Sequence, residues 1–138
     1  MDTSSTLTQF LGSLLAILAL AGIAYWLKLG PAPRLENEAD ARRAADEAVS
    51  GFDPVAIGID AEGRGAIMRD ARGRLLVLRP HGTHFAGRIL SAGAQAQGDG
   101  ERLLIDTGEK RFGPVHLTLE GAETWAAEIR SIYRSSDA

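Results

Sequence analysis

Few side chains in this sequence have chemistry to offer. Three histidines occur: His81, His84 and His116. His81 and His84 stand in the spacing H-x-x-H, and three imidazoles would suit zinc or another borderline divalent metal. The surrounding residues oppose that use. Pro80, Gly82 and Thr83 mark a turn, and no neighbouring carboxylate offers a fourth ligand. Ordinary loop and surface histidines, with no metal site, are expected. Asp60, Glu62, Asp70, Asp99 and Asp106 fall mostly at turns, where acids bond to nearby backbone. There is no nucleophile elbow, no phosphate-cradling glycine loop and no H-E-x-x-H helix. The chain has no cysteine, which removes disulfides, thiolate metal centres and cysteine nucleophiles. The expectation is a protein that is not an enzyme and carries no cofactor.

Arginine is the one functional group in excess. Arg64, Arg69, Arg72, Arg74, Arg79 and Arg88 lie within 25 residues that contain Asp70 as the only acid. A guanidinium presents a planar fork of donors that suits carboxylate and phosphate. Beside a bilayer, each such residue is worth about 1 kcal/mol against anionic lipid. Arg64, Arg69, Arg72, Arg74 and Arg88 are therefore the candidate contacts for anionic lipid or an acidic partner. The competing expectation is a solvated strand face whose arginines flank apolar residues and blunt sheet edges. The net charge of −3 argues against nucleic acid as the partner.

The element that would position these groups is at the start of the chain. No charged residue occurs between Asp2 and Lys28. About 20 helical residues cross a hydrocarbon core, so residues 6–28 are expected to form a transmembrane helix behind a short tail at 1–5. Tyr25 and Trp26 suit the headgroup layer, and Lys28 a snorkelling anchor. A secretory signal wants a positive n-region and a short apolar run. Here the n-region is acidic and the run long, so a retained anchor is expected. Lys28, Arg34, Arg42 and Arg43 flank the C-terminal side of the span, and no lysine or arginine precedes it. The positive-inside rule then puts the N-terminus outside the inner (plasma) membrane and the C-terminal domain in the cytoplasm. Gly12 and Ala16 are small residues four apart, as in helix-pairing faces and also in ordinary apolar spans.

Residues 29–52 begin with a Gly-Pro-Ala-Pro spacer that ends the helix. A charged, alanine-rich helix follows. Opposite charges at Glu38/Arg42, Arg42/Asp46 and Arg43/Glu47 are spaced for i,i+4 pairing. Its apolar stripe (Ala41, Ala45, Ala48, Val49) is thin, as in a solvated linker helix or a partner-binding one. From Phe52 the apolar period becomes twofold, giving strands at 55–59, 65–69, 74–79, 84–90, 102–107 and 112–120. The stretch 91–100 has the composition of a weak edge strand and loop. Residues 80–83 should break the third strand. The segment 122–133 returns to helical period, with Trp125, Ile129 and Ile132 on one face and a frayed tail at 135–138.

A mainly β fold with helices results: several antiparallel strands leading straight into a Trp-bearing helix. The run V-H-L-T-L-E-G-A-E-T-W-A-A-E-I-R-S-I at 115–132 and the hairpins before it carry this order, which resembles the pleckstrin-homology-like superfold over residues 53–134. The resemblance implies a small antiparallel barrel or roll capped by the C-terminal helix, with phosphate-bearing ligands bound near the early hairpins. The dense Lys/Arg loop of tight phosphoinositide binders is missing. The expected function is a single-pass, membrane-anchored binding or scaffold module that presents this domain to a protein partner in the membrane or to anionic lipid. The alternative is a structural accessory subunit of a membrane complex, held mainly by its transmembrane helix.

Overall fold

A computed structural model describes residues 3–29 and 33–136. The spacer residues 30–32 and the outermost termini, named above, lie outside the described residues. The chain divides into two units, Met1–Pro31 and Ala32–Ala138.

The first unit is one helix, α1 (Thr3–Leu29). Its stretch Thr3–Trp26 is long and apolar enough to cross a membrane, and none of it is buried. Phe10, Leu15, Leu20 and Trp26 are all exposed. Water does not tolerate a contiguous apolar surface of this size without a partner. The same length and composition, placed near an N-terminus, also fit a signal sequence.

The second unit opens with α2 (Glu38–Ala48). Asn37 caps it, its side chain accepting from the Asp40 N–H at 2.8 Å, while the Asp40 carboxylate accepts from the Glu36 N–H. The two interactions satisfy helix-start donors in the manner of a capping box. α2 is not a solvated linker. Ala41, Ala44 and Ala45 are buried, and Ala48 lies so near Gly87 that a Cβ there would come within 2.8 Å of it. Alanine on the helix and glycine on the strand permit this close approach. The three expected i,i+4 ion pairs give way to other partners. Arg42 reaches Asp53 and the Pro54 carbonyl, and Arg43 reaches Asp40.

Seven strands follow: β1 (Pro54–Ile59), β2 (Ala66–Asp70), β3 (Leu75–His81), β4 (His84–Ile89), β5 (Gln95–Asp99), β6 (Arg102–Asp106) and β7 (Val115–Thr118). They form two antiparallel sheets, β1-β2-β3-β4 and β5-β6-β7. This corrects the expectation of a closed barrel: no ladder joins the two sheets among the described residues. The fold is mixed α/β, ending in α3 (Ala122–Ser136).

Two strand boundaries, those of β3 and β7, differ from expectation, while the weak edge strand expected within 91–100 is present. β3 runs through Pro80 to His81, because a tight turn at Gly82 (φ +64°) pairs His81 with His84. β5 forms from the soft 91–100 stretch. β7 is only four residues long, since Gly113 (φ +76°) turns the chain and Phe112 folds inward.

The first sheet is buried on both faces. Ile67, Leu75 and Val77 join Leu103, Ile105, Leu117 and Ile129 in one core. Ala66, Met68, Leu76 and Leu78 join Leu35, Phe52 and the α2 alanines in the other. Fully burying a side chain such as Ile129 is worth about 1.5–3 kcal/mol. Trp125 contributes less than its size suggests. It is only partly buried, packed against the first core and over Gly58.

Candidate functional site

Five arginines were expected to share a contact surface. The fold keeps Arg69, Arg72 and Arg74 near one another around the β2–β3 turn, puts Arg64 and Arg88 in other elements, and gives four of the five a carboxylate partner. Arg64, in the β1–β2 turn, pairs with Glu62 at 3.3 Å. Arg69, at the far end of β2, pairs with Glu128 on α3. Arg74 donates its Nε–H to Asp70 at 2.7 Å and lies over the Phe52 ring. Arg88, on β4, pairs with Glu109 at 2.8 Å. Arg72 alone forms no ion pair among the described residues; its backbone N–H bonds to Asp70. Arg79, outside the candidate set, donates to the Phe112 carbonyl. Arg79 and Arg88 both stack over the Phe112 ring, at 5.6 and 5.1 Å. These two arginines clamp the β6–β7 connection onto the first sheet.

The excess of positive charge in the 64–88 window is thus partly compensated by Glu62, Glu109 and Glu128, all from outside it, while Arg72 and Arg79 hold no carboxylate among the described residues. A guanidinium already held by a carboxylate must give up that contact before it binds lipid phosphate or an acidic partner.

Two buried aspartates organise the turns. Asp60 accepts from the Glu62 and Arg64 N–H groups with Oδ2 and from the distant Thr118 N–H with Oδ1, at 2.7 Å. It therefore ties the β1–β2 turn to β7 of the other sheet. Asp70 accepts from the Arg72 and Arg74 N–H groups and from the Arg74 guanidinium. Burial pushes the Asp70 carboxyl up, but these donors outweigh it and hold its pKa below the ordinary 3.8.

The histidines do not assemble. His81 and His84 face each other across the β3–β4 hairpin, while His116 sits on β7 opposite Leu104. No group of three His, Cys, Asp or Glu side chains is placed to hold a metal ion among the described residues.

A feature missed in the sequence lies along β5. Residues 92–97 and Arg130 line an open cleft of about 540 Å³. Alanines and a glycine form much of its wall, with Gln95, Gln97 and Arg130 as its polar groups. Arg130 extends from α3 to the Ala96 carbonyl at 3.4 Å, a long contact. The sequence signal was present but weak: a run of small residues with no apolar alternation, and a basic residue on the next helix. Comparisons with known proteins return no matching protein family, no matching curated protein and no matching solved structure for this chain.

Proposed function

We propose that this chain is a single-pass, membrane-anchored binding module, its N-terminus outside the inner (plasma) membrane and its folded unit presented in the cytoplasm to a protein partner. The observation that carries the proposal is α1, which has 24 residues of span-compatible sequence with no part buried, attached to a unit that has its own cores. The cytoplasmic orientation rests on Lys28, Arg34, Arg42 and Arg43. A protein partner met by surfaces other than these arginines is favoured, because four of the five already hold carboxylates. Binding rather than catalysis fits the side chains on hand: the buried acids are spent on backbone N–H groups.

Alkaline carbonate extraction of membranes, combined with mass spectrometry of the mature N-terminus, tests the anchor. The expected result is a membrane-retained chain with residues 3–26 intact. A carbonate-soluble chain that begins beyond Trp26 overturns the proposal. A C-terminal reporter active only in the cytoplasm tests the orientation.

A further inference from the structure

We infer that β1 is the edge through which two copies of this chain pair, antiparallel about a two-fold axis at Gly58, joining their four-stranded sheets into one of eight strands. The inference goes beyond the binding-module proposal by making a second copy a partner. It rests on that proposal only for the bilayer that holds the copies together.

β1 ends its sheet, with β2 on one side only. The Asp60 N–H donates to the Gly65 carbonyl, and the Asp70 N–H to the Arg74 carbonyl, both at 3.0 Å. Bonded pairs alternate along an antiparallel ladder, and the two bonds set one phase. Ala56 and Gly58 bond to β2 opposite Arg69 and Ile67, while Ile57 and Ile59 turn their N–H and C=O groups off the edge. No hydrogen bond reaches those groups among the described residues. None of Val55–Ile59 is buried, Val55 is 59% exposed, and no residue between Asp53 and Asp60 is charged. Pro54 and the bulge between Pro54 and Ala56 guard only the start of the strand. The other edges are covered or charged, the usual means of keeping strand edges from pairing. β4 has Ala48 against Gly87 and carries Arg88, held by Glu109. β5 is buried at Ala96 in the core that α3 shares. The end of β7 accepts from the Ala61 N–H at 2.7 Å.

The free groups fix the partner and the register. A two-fold axis pairs Ile57 of one copy with Ile59 of the other, twice over, so every free N–H meets a free C=O and none is left unpaired. Gly58 then faces its counterpart across the axis at the non-bonded spacing of about 4.5 Å. Ile57 and Ile59, which pack toward the α2 core, lie side by side across the junction. On the opposite face the half-buried Trp125 stands over Gly58 and meets the Trp125 of the second copy. Apolar and aromatic cross-strand pairs are what hold antiparallel strands together. Opposite charges meet at both ends of the junction: Asp53, its side chain 92% exposed, comes beside Arg64 of the other copy, 69% exposed. The strand makes the contact, and Arg64 enters only at its rim. A junction this short buries less than the roughly 1,200 Å² of a standard interface. Copies held in one bilayer therefore pair where free copies do not, because the anchor raises their effective concentration.

The test uses the full chain, labelled at its C-terminus with donor or acceptor dye and mixed in phosphatidylcholine vesicles. Energy transfer reads the dimer fraction over a range of protein-to-lipid ratios, and amide exchange is followed on the same samples. Expected are dimers that dissociate on dilution into excess lipid, with the Ile57 and Ile59 amides slowed only in the dimer. Ile57→Pro removes an N–H that the fold itself does not use, and should weaken pairing at least tenfold with an unchanged circular dichroism spectrum. Ile57→Val keeps the N–H and should keep the dimer. Should Ile57→Pro fail to fold, the exchange pattern of the parent chain decides without a variant. A monomer at every density, a dimer as strong with Ile57→Pro, or Ile57 and Ile59 amides that exchange alike in monomer and dimer overturns the inference. Carbonate extraction is read separately, so failure of the anchor and failure of the pairing give different results.

Discussion

Asp60→Ala is the most informative single change to the fold. Asp60 is only 8% exposed, and its carboxylate takes three backbone N–H groups. The contacts differ in worth. The Glu62 and Arg64 donors lie in a turn that water reaches once the carboxylate is gone, so each bond is worth about 0.5 kcal/mol. The Thr118 bond is short at 2.7 Å and joins the two sheets across 58 residues of sequence. A hydrogen bond to a charged group of this kind is worth about 1.5–3 kcal/mol. The expected loss is about 3 kcal/mol, a large part of the roughly 5–15 kcal/mol of a typical domain. Urea unfolding of the full chain in mild detergent, followed by Trp fluorescence and by far-ultraviolet circular dichroism, measures it. Asp60→Asn keeps the oxygen facing Thr118 and should lose about half as much. A loss below about 1 kcal/mol for Asp60→Ala would refute the view that this side chain holds the sheets together.

Asp70 has a folded-state pKa below 3.8, so its contribution to stability is complete above the unfolded value and is lost as pH falls through the folded one. Unfolding midpoints between pH 6 and pH 2 should therefore fall less steeply in Asp70→Asn than in the parent, and parallel curves would contradict this. Gly98→Ala forces a Cβ to within 2.8 Å of the α3 backbone and should cost about 1–3 kcal/mol by overpacking. Gly93→Ala, which meets nothing within 4 Å, is its control in the same urea titration.

What the sequence made legible follows from side-chain period. Val115, Leu117 and Ile129 fall on the core side that alternation and helical spacing assign them, and the apolar run of α1 needs no tertiary information. The arginine count overstated the free positive charge because a tally along the chain sees only near neighbours. Glu109 and Glu128 lie 21 and 59 residues from the arginines they hold, so the pairing exists only after folding. Pro80 reads as a strand breaker, yet it sits within β3 opposite Phe85. The alanine stripe of α2 looked too thin to anchor a helix, but Gly87 on the facing strand lets that thin stripe dock closely. β5 was weak in the sequence because its core-facing positions are the buried Ala96 and the half-buried Gly98, which give little hydropathic contrast with glutamine.

The two-faced burial of β2 and β3 also decides how those strands find their alignment. A strand apolar on one side penalises a one-residue slip by turning greasy groups toward water. Here Ala66–Ile67–Met68 and Leu75–Leu76–Val77–Leu78 would present hydrocarbon to both sides after such a slip, so cohesion alone barely distinguishes right from wrong. The distinction falls to the bends: Asp70 seizes the amides of Arg72 and Arg74, and Asp60 those of Glu62 and Arg64. Grease holds this sheet together, and two acids at its corners keep count.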